Sequence, residues 1–573
     1  MKLDLTQGKQ FNNQVREIFN AISDQSRHEF TNLIGEMSQN PPLKNNLDWW
    51  VQSPASRNTL SSPLFYHFCI IRLVDYLIKN NILITEITVD SVALKIILNK
   101  ILKKNSINII IYGPTSGIKK SINIFLKNIN TVYITFLRMF YKLKCAKKTK
   151  SFQKPLHDGF LTLIDVFVFP GYISKDRYYN ALLENLSNTD KLSIYFVPTL
   201  TNIPQSDISL AYKELRQSER NFLIKEDYLG INDILFSIFH FFRLYFLRIY
   251  PVYFLGVNIS LLIKEELITL NEFSGSVDAL LNYRFARSLR KNRIRLRLVV
   301  DWFENQVVDK GWNSGFAQFY SNIRRVGYLG FIPNKSYLCL FPSKFENSNN
   351  VLPSEFVVIG PKLIQSINEF DSSINLNVGP AFRFHYLWDE HYSNSDSSIY
   401  VILIVLPGIE EHAISLLKSL KYSISKTDNT NKRYYIKSHP ILDNDFISSK
   451  IKSAFPRQIT IIQESFSQIL FKSNLLITSG VSTAIYESFA CGIPAIIYEN
   501  QSGINFSSKP NNVPKQIWRY CKTPEDISNS IQYFSGLSEN QMTVFKKIGV
   551  TIKNDYFKPI NKETVYKFLK LPT

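Results

Sequence analysis

The chain is predicted to fold as α/β: two Rossmann-like, doubly wound domains facing each other, with a helical N-terminal extension and an apolar, basic insertion in the first domain. Three observations predict this. Short apolar runs of strand type alternate with amphipathic helical stretches along most of the 573 residues. The alternation breaks at the polar segment YLWDEHYSNSDSS and then resumes, as expected for two successive α/β series joined by a linker. The stretch LLITSGVSTAIYESFACGIPAIIY, Leu475 to Tyr498, reads strand, small-residue loop, helix, strand, with Gly492 and Pro494 breaking the helix.

Residues 1–80 read as a mostly helical extension, with SSPLFYHFCIIRLVDYLI as a strongly apolar helix. The first domain is expected over 81–388. It opens with strand ITEITVD, helix VALKIILNKILKK and strand INIIIY, a βαβ start. GPTSGIKKS follows. It lacks the spacing of a triphosphate-binding P-loop, because three residues separate Gly113 from Gly117 and Ile118 precedes Lys119, so it reads as a strand-to-helix turn and no ATPase is expected. LIDVFVFPGY is a buried strand, YYNALLENL a helix and LSIYFVP a strand. The insertion spans about 228–265. RLRLVVDWFENQVVDKGW runs from strand to helix, and YLGF, FVVIGPKLIQSINEF and SINLNVGPAFRF continue the series. The second domain is expected over 389–573, and its last helix, KETVYKFLKL, is expected to cross back to the first.

Hydrophobic residues make up 45% of the chain and charged residues 20%, which excludes global disorder. Five scattered cysteines have no zinc or redox spacing and suit a reducing cytoplasm. MKLDLTQGKQFNN has no apolar h-region, so no secretory leader is expected. The net charge of +20 favours an anionic partner. Basic residues interleave with aromatics around VYITFLRMFYKL and again from Arg284 to Arg297. The two readings of these runs are solvated faces and docking to an anionic bilayer or a lipid-pyrophosphate acceptor. Nucleic acid is not expected, since no binding motif accompanies the charge. The apolar stretch Ile234 to Ile263 is interrupted by Arg243, Arg248 and Pro251, too short for a span; it reads as an in-plane interfacial helix or a buried helix pair.

Ligands bind outside the carboxyl ends of the strands in such sheets. In the second domain those ends carry Pro407, then Lys437, His439 and Pro440 of YYIKSHP, then Ser479, Gly480, Ser482 and Thr483. Small residues leading into a helix N-terminus present free N–H groups and the positive end of the helix dipole to an anion. The same hydroxyls also suit ordinary helix capping. The first domain is expected to bring Gly113, Gly171, Asp301 and Glu304 to its strand ends, giving an acidic wall opposite a phosphate-binding one. Asp443-Asn444-Asp445 has a DxD form, but helix capping explains it and no metal is expected.

KSHP followed by LLITSGVSTAIYESFACGIPAII resembles the donor domain of GT-B glycosyltransferases of bacterial surface polysaccharides: the sialyl- and polysialyltransferases, the Kdo transferases and the CDP-glycerol glycerophosphotransferases. DWFENQVVDKGW, RVGYLGFIP and NVGPAFRF are similar to uncharacterised surface-carbohydrate biosynthesis proteins. The motif match covers about a third of the chain. It implies a cytidine-nucleotide donor and no cofactor. His439 would contact the donor phosphate or ribose, Pro440 would fix its turn, Ser482 and Thr483 would bind the phosphate, and Glu487 would accept from ribose hydroxyls. Glu304 is the expected base, with Asp301 second. The sialyltransferase pattern pairs an acidic residue with glycine in the first domain, and no such pair is placed here.

The expected function is transfer of a nonulosonic or Kdo-type sugar from a CMP donor to a surface-glycan or lipid-linked acceptor, by a protein peripheral to the inner face of the cytoplasmic membrane. The alternatives are CDP-glycerol-type glycerophosphate transfer and a catalytically inactive GT-B scaffold that binds glycan or protein; a UDP-sugar epimerase also uses this fold, but the Ser-Thr loop and the insertion fit it less well.

Overall fold

The computed structural model describes all residues except Ser116, Ser174, 390–398, Asp443, 456–458, Val481 and Thr573. Its strands, in chain order, are β1 (Lys2–Asp4), β2 (Glu86–Thr88), β3 (Ile110–Tyr112), β4 (Leu161–Val168), β5 (Ile194–Leu200), β6 (Tyr253–Phe254), β7 (Val257–Asn258), β8 (Leu296–Trp302), β9 (Arg324–Leu329), β10 (Glu355–Val358), β11 (Leu376–Val378), β12 (Tyr400–Val405), β13 (Lys432–Lys437), β14 (Ile459–Ile461), β15 (Leu475–Ser479), β16 (Ala495–Tyr498) and β17 (Trp518–Cys521).

Two six-stranded sheets carry the two lobes, and both are parallel throughout. The first has the order β11-β10-β9-β8-β4-β5, and its strand order reverses between β4 and β8. The second has the order β14-β13-β12-β15-β16-β17, the 3-2-1-4-5-6 order of dinucleotide-binding folds, and reverses between β12 and β15. β12, β15 and β16, inside the second sheet, are buried along almost their whole length, which is why they read as apolar runs with no alternation of polar residues.

The lobes meet at the carboxyl ends of their strands. After β9, Asn334 Nδ2 donates to the Phe506 carbonyl at 2.7 Å and Ser336 Oγ to the Asn505 carbonyl at 2.8 Å, in the loop that follows β16. The helix Asn13–Met37, capped by the Asn12 side chain, touches both lobes. Arg16 pairs with Glu499 of the second, and Arg27 with Glu369 of the first. The last helix, Lys562–Leu569, returns to the first lobe as expected. The Phe568 ring lies 5.3 Å from Tyr328 and 5.4 Å from Phe382, and Tyr566 Oη donates to Asp190 at 2.8 Å. Two facing doubly wound lobes with a returning C-terminal helix make the GT-B arrangement.

Three expectations are corrected. β2 and β3 form the expected βαβ unit, but with β1 they make a separate three-stranded sheet, in which β2 lies between the other two and no strand of either large sheet takes part. Gly113 therefore stands apart from the cleft wall formed by β4 and β8. YYNALLENL is not a helix. The Asp176 carboxylate accepts from the backbones of Tyr178 and Tyr179 at 2.8 and 2.9 Å, and the Tyr178 and Tyr179 rings insert against Trp302. That turn leaves only a 3-10 turn at Leu183–Asn185. The apolar stretch Ile234 to Ile263 is not one helix. It holds the end of the helix Ile231–Ile238, the helix His240–Tyr245, the β6–β7 hairpin and the start of the helix Ser260–Thr269. No described helix is long and apolar enough to cross a membrane.

Candidate functional site

The second lobe's wall is built where β13, β12 and β15 end side by side. His439 follows β13. The Ile441 backbone donates to its Nδ1, and Gly408, just after β12, packs against the ring: a Cβ on Gly408 would lie 3.1 Å from that nitrogen. Gly480, after β15, has φ +68° and packs against Pro407, so a side chain there would meet Pro407 at 3.2 Å. The imidazole and the Ser-Thr bend thus stand two strands apart, roughly 10 Å, bridged by the Pro407-Gly408 turn.

Within the bend the residues divide. Ser479 is fully buried, its hydroxyl 3.3 Å from Ser507 Oγ; Ser507 in turn accepts from the Gly480 N–H at 2.8 Å. Ser479 is therefore scaffold. Ser482 and Thr483 remain partly open, with Ser482 Oγ accepting from the Ala484 N–H at 3.3 Å and Thr483 Oγ1 donating to Glu487 at 3.2 Å. Glu487 is buried and also accepts from the Tyr386 hydroxyl, so its carboxylate ties the interlobe connection to this helix and is not open toward a ribose. Burial raises its pKa, against the pull of Arg383. Lys437 spends its ammonium on the Glu464 carbonyl at 2.6 Å, and burial lowers its pKa. Pro440 is exposed in the turn after His439.

The facing wall comes from the ends of β4 and β8, the reversal point of the first sheet. Glu304 is partly exposed. Its carboxylate is held by Trp302 Nε1 at 3.0 Å and Gln306 Nε2 at 2.6 Å. Asp301 lies in the interior, bonded to Asn313 Nδ2 at 2.6 Å; burial and the neighbouring Asp309 and Asp165 hold it well above the usual carboxylate range. It cannot reach a ligand in the cleft. Gly171 turns the chain after β4 with φ +78°.

That turn delivers Arg177, which sequence reasoning did not single out. Its guanidinium lies over the rings of Phe169, Tyr172 and Tyr178, at 5.2, 5.6 and 5.8 Å. Arg383, on the connection between the lobes, is the second guanidinium of the cleft. Burial, then Arg177, then Arg383 push the His439 pKa down to about 4. The field of Arg383 also reaches Glu487, Tyr386 and Tyr178, and Tyr178 feels Glu304 too. One residue from each lobe and one from the connection are therefore electrostatically coupled. Among the described residues neither Arg177 nor Arg383 forms an ion pair within 4.0 Å. The signal for Arg177 was its place, DRYY just beyond β4; it becomes legible only once the strand order shows β4 at the reversal.

Asp443 of the DxD stretch lies outside the described residues, and the helix Asn444–Ala454 begins directly after it. Among the described residues no three His, Cys, Asp or Glu side chains are grouped as a metal site requires.

No protein-family model and no curated protein sequence matches the chain. Among solved structures it is similar to an S. aureus MnaA–UDP co-structure, with 12% identity and a TM-score of 0.43 over 72% of this chain and 98% of that one. It is also similar to a glycosyltransferase from Rickettsia africae, with 13% identity and a TM-score of 0.41 over 72% and 98%. A UDP-GlcNAc 2-epimerase from Neisseria meningitidis bound to UDP-GlcNAc shows 11% identity and a TM-score of 0.41 over 72% and 99%.

Proposed function

We propose that the cleft binds a nucleotide sugar through its phosphate and transfers the sugar to an acceptor hydroxyl. The observation that carries this is the shared positive field of Arg177 and Arg383 at His439, which follows β13 beside the Ser482–Thr483 bend. Two guanidiniums and an N–H donor without a carboxylate partner form an anion site. Glu304 stands on the acidic side as base, its carboxylate oriented by Trp302 and Gln306. The cations would stabilise charge as it develops on the leaving phosphate. Ser482 and Thr483 add hydroxyls at the reversal point of the second sheet.

The KSHP and Ser-Thr motifs favour a cytidine-linked donor, with a nonulosonic or Kdo-type sugar first and a glycerophosphate second. A surface-glycan or lipid-linked acceptor, at the inner face of the cytoplasmic membrane, fits the basic charge of the chain. Thermal shift with CMP, CDP, UDP, GDP and ADP is the direct test. A ligand at about 100 times its dissociation constant adds ~2.7 kcal/mol of stability. Stabilisation by CMP or CDP above the others supports this donor class; stabilisation by UDP alone removes it, and no response to any nucleotide removes the transferase.

A further inference from the structure

The helix Ile118–Thr149 is 32 residues long, and from Ile122 to Leu137 its outward face is apolar. Toward the protein it buries Asn128, Thr135, Lys142 and Thr149 beside Met139 and Leu143. Toward solvent it presents Ile122, Phe125, Leu126, Ile129, Tyr133 and Leu137, all exposed. Spacings of three and four residues put these on one face, where a water-facing helix carries charge. Single exposed apolar residues are ordinary, but a contiguous row marks an interaction surface.

A second segment, more than a hundred residues on, extends the row. Asn128 Nδ2 donates to the Ile268 carbonyl at 2.7 Å, fastening the long helix to the helix Ser260–Thr269. The Phe125 ring lies 6.4 Å from Phe241 and 6.5 Å from Tyr245. Around that contact Phe239, Phe242, Tyr245 and Tyr253 are exposed, and Phe246 is 83% exposed.

Charge names the occupant. Between residues 91 and 157 there are fourteen lysines and arginines and no aspartate or glutamate; between 234 and 264 there are three and none. Lys127, Lys144, Lys147, Lys148 and Arg248 are exposed. A second copy of a chain carrying +20 would be repelled by this face. Aromatic rings and basic side chains bordering an apolar row match a headgroup layer with acyl chains beneath it.

We propose that the helix Ile118–Thr149 and the segment 239–253 form one surface that seats the protein on an anionic lipid bilayer, with the helix lying in the membrane plane. This rests on exposure and charge outside the cleft. It deepens the proposed function by bringing the transferase to a lipid-linked acceptor.

Vesicle flotation of the full chain tests it, with phosphatidylcholine alone against phosphatidylcholine containing about a third phosphatidylglycerol. Binding should be at least about tenfold tighter to the anionic vesicles and should fall with added salt. Leu126→Asp/Tyr133→Asp/Leu137→Asp should abolish it, and Lys144→Glu/Lys147→Glu/Lys148→Glu should weaken it on the order of a hundredfold. All six positions are exposed, so both variants should keep the wild-type unfolding midpoint and nucleotide response, which separates this result from failure of the cleft reading. Hydrogen exchange of the unmodified protein provides an arm free of substitutions: vesicles should protect 118–149 and 239–253. Equal binding to both vesicle types, wild-type binding by the aspartate variant, or no protection of those segments overturns the proposal. So does a lipid-free dimer that the aspartate variant converts to monomer, which would give the face to a second copy.

Discussion

The Ile441 backbone N–H donates to His439 Nδ1 at 3.2 Å, which makes Nδ1 the acceptor and leaves Nε2 as the N–H edge of a neutral ring. A neutral imidazole with a fixed tautomer donates one hydrogen bond without needing a proton from solvent. The pKa of about 4 keeps it in that state throughout the neutral range.

Substituting His439→Ala should therefore weaken nucleotide binding about tenfold, the loss of one hydrogen bond to a charged group. Gly408→Ala should weaken it comparably, because its Cβ would press on Nδ1 from 3.1 Å. Isothermal titration should show no inflection near pH 6.5 attributable to this histidine. Stability should respond to acid. The unfolded imidazole takes a proton near pH 6.5 and the folded one only near 4, so stability should fall as pH drops through that window. His412, also pushed down to about 4 by burial, acts in the same direction. Urea midpoints at pH 7 and pH 5 measure the effect, and His439→Gln should lessen it.

Arg177→Ala and Arg383→Ala should each cost about tenfold or more in nucleotide affinity. Lysine at either position should restore only part, since a point charge does not reproduce the bidentate fork. Full affinity in the Arg177→Ala/Arg383→Ala protein would remove the anion site.

Arg16 and Glu499 form an ion pair 3.1 Å apart whose side chains are 8% and 4% exposed, joining the N-terminal helix to the second lobe. Removing one partner strands a buried charge, so Arg16→Ala should destabilise by about 3 kcal/mol or more. The double change Arg16→Met/Glu499→Leu should recover most of that loss in chemical denaturation. Equal destabilisation by the single and double changes would count against a coupled pair.

Asp165 on β4 lies beside Asp301 on β8, one step along the register from the Ile164–Val300 pair. Burial pushes Asp165 up to about 7. The folded chain keeps this proton to near neutrality, whereas the unfolded chain releases it near pH 3.9. Stability from this group is therefore present in acid and lost as pH rises toward 7, opposite in sign to His439. Asp165→Asn should raise the unfolding midpoint at pH 8 more than at pH 5. An equal change at both pH values would show that its ionisation is not linked to folding.

The lobes were legible because parallel strands buried on both faces leave unbroken apolar runs, and KSHP and SGVST marked two of the strand ends that form one wall. The roles inside that wall were not legible. Ser479 and Ser482 look alike in sequence, yet Ser507, contributed by a loop after β16, turns the first into scaffold. Asp301 and Glu304 sit three residues apart, and the strand's end divides them, one in the core and one at the opening. Arg177 was invisible because its neighbours YYNALLENL read as a helix, and only the Asp176 side chain makes them a turn.

The last helix places a ring between Tyr328 and Phe382 that is encoded more than two hundred positions after the first of them. During synthesis the first lobe must wait, its sheet laid down but its interior unfilled, until the whole second lobe has left the ribosome. A shortened chain that stops at the interlobe connection would thus be an incomplete core with an apolar gap, more prone to clump than to fold.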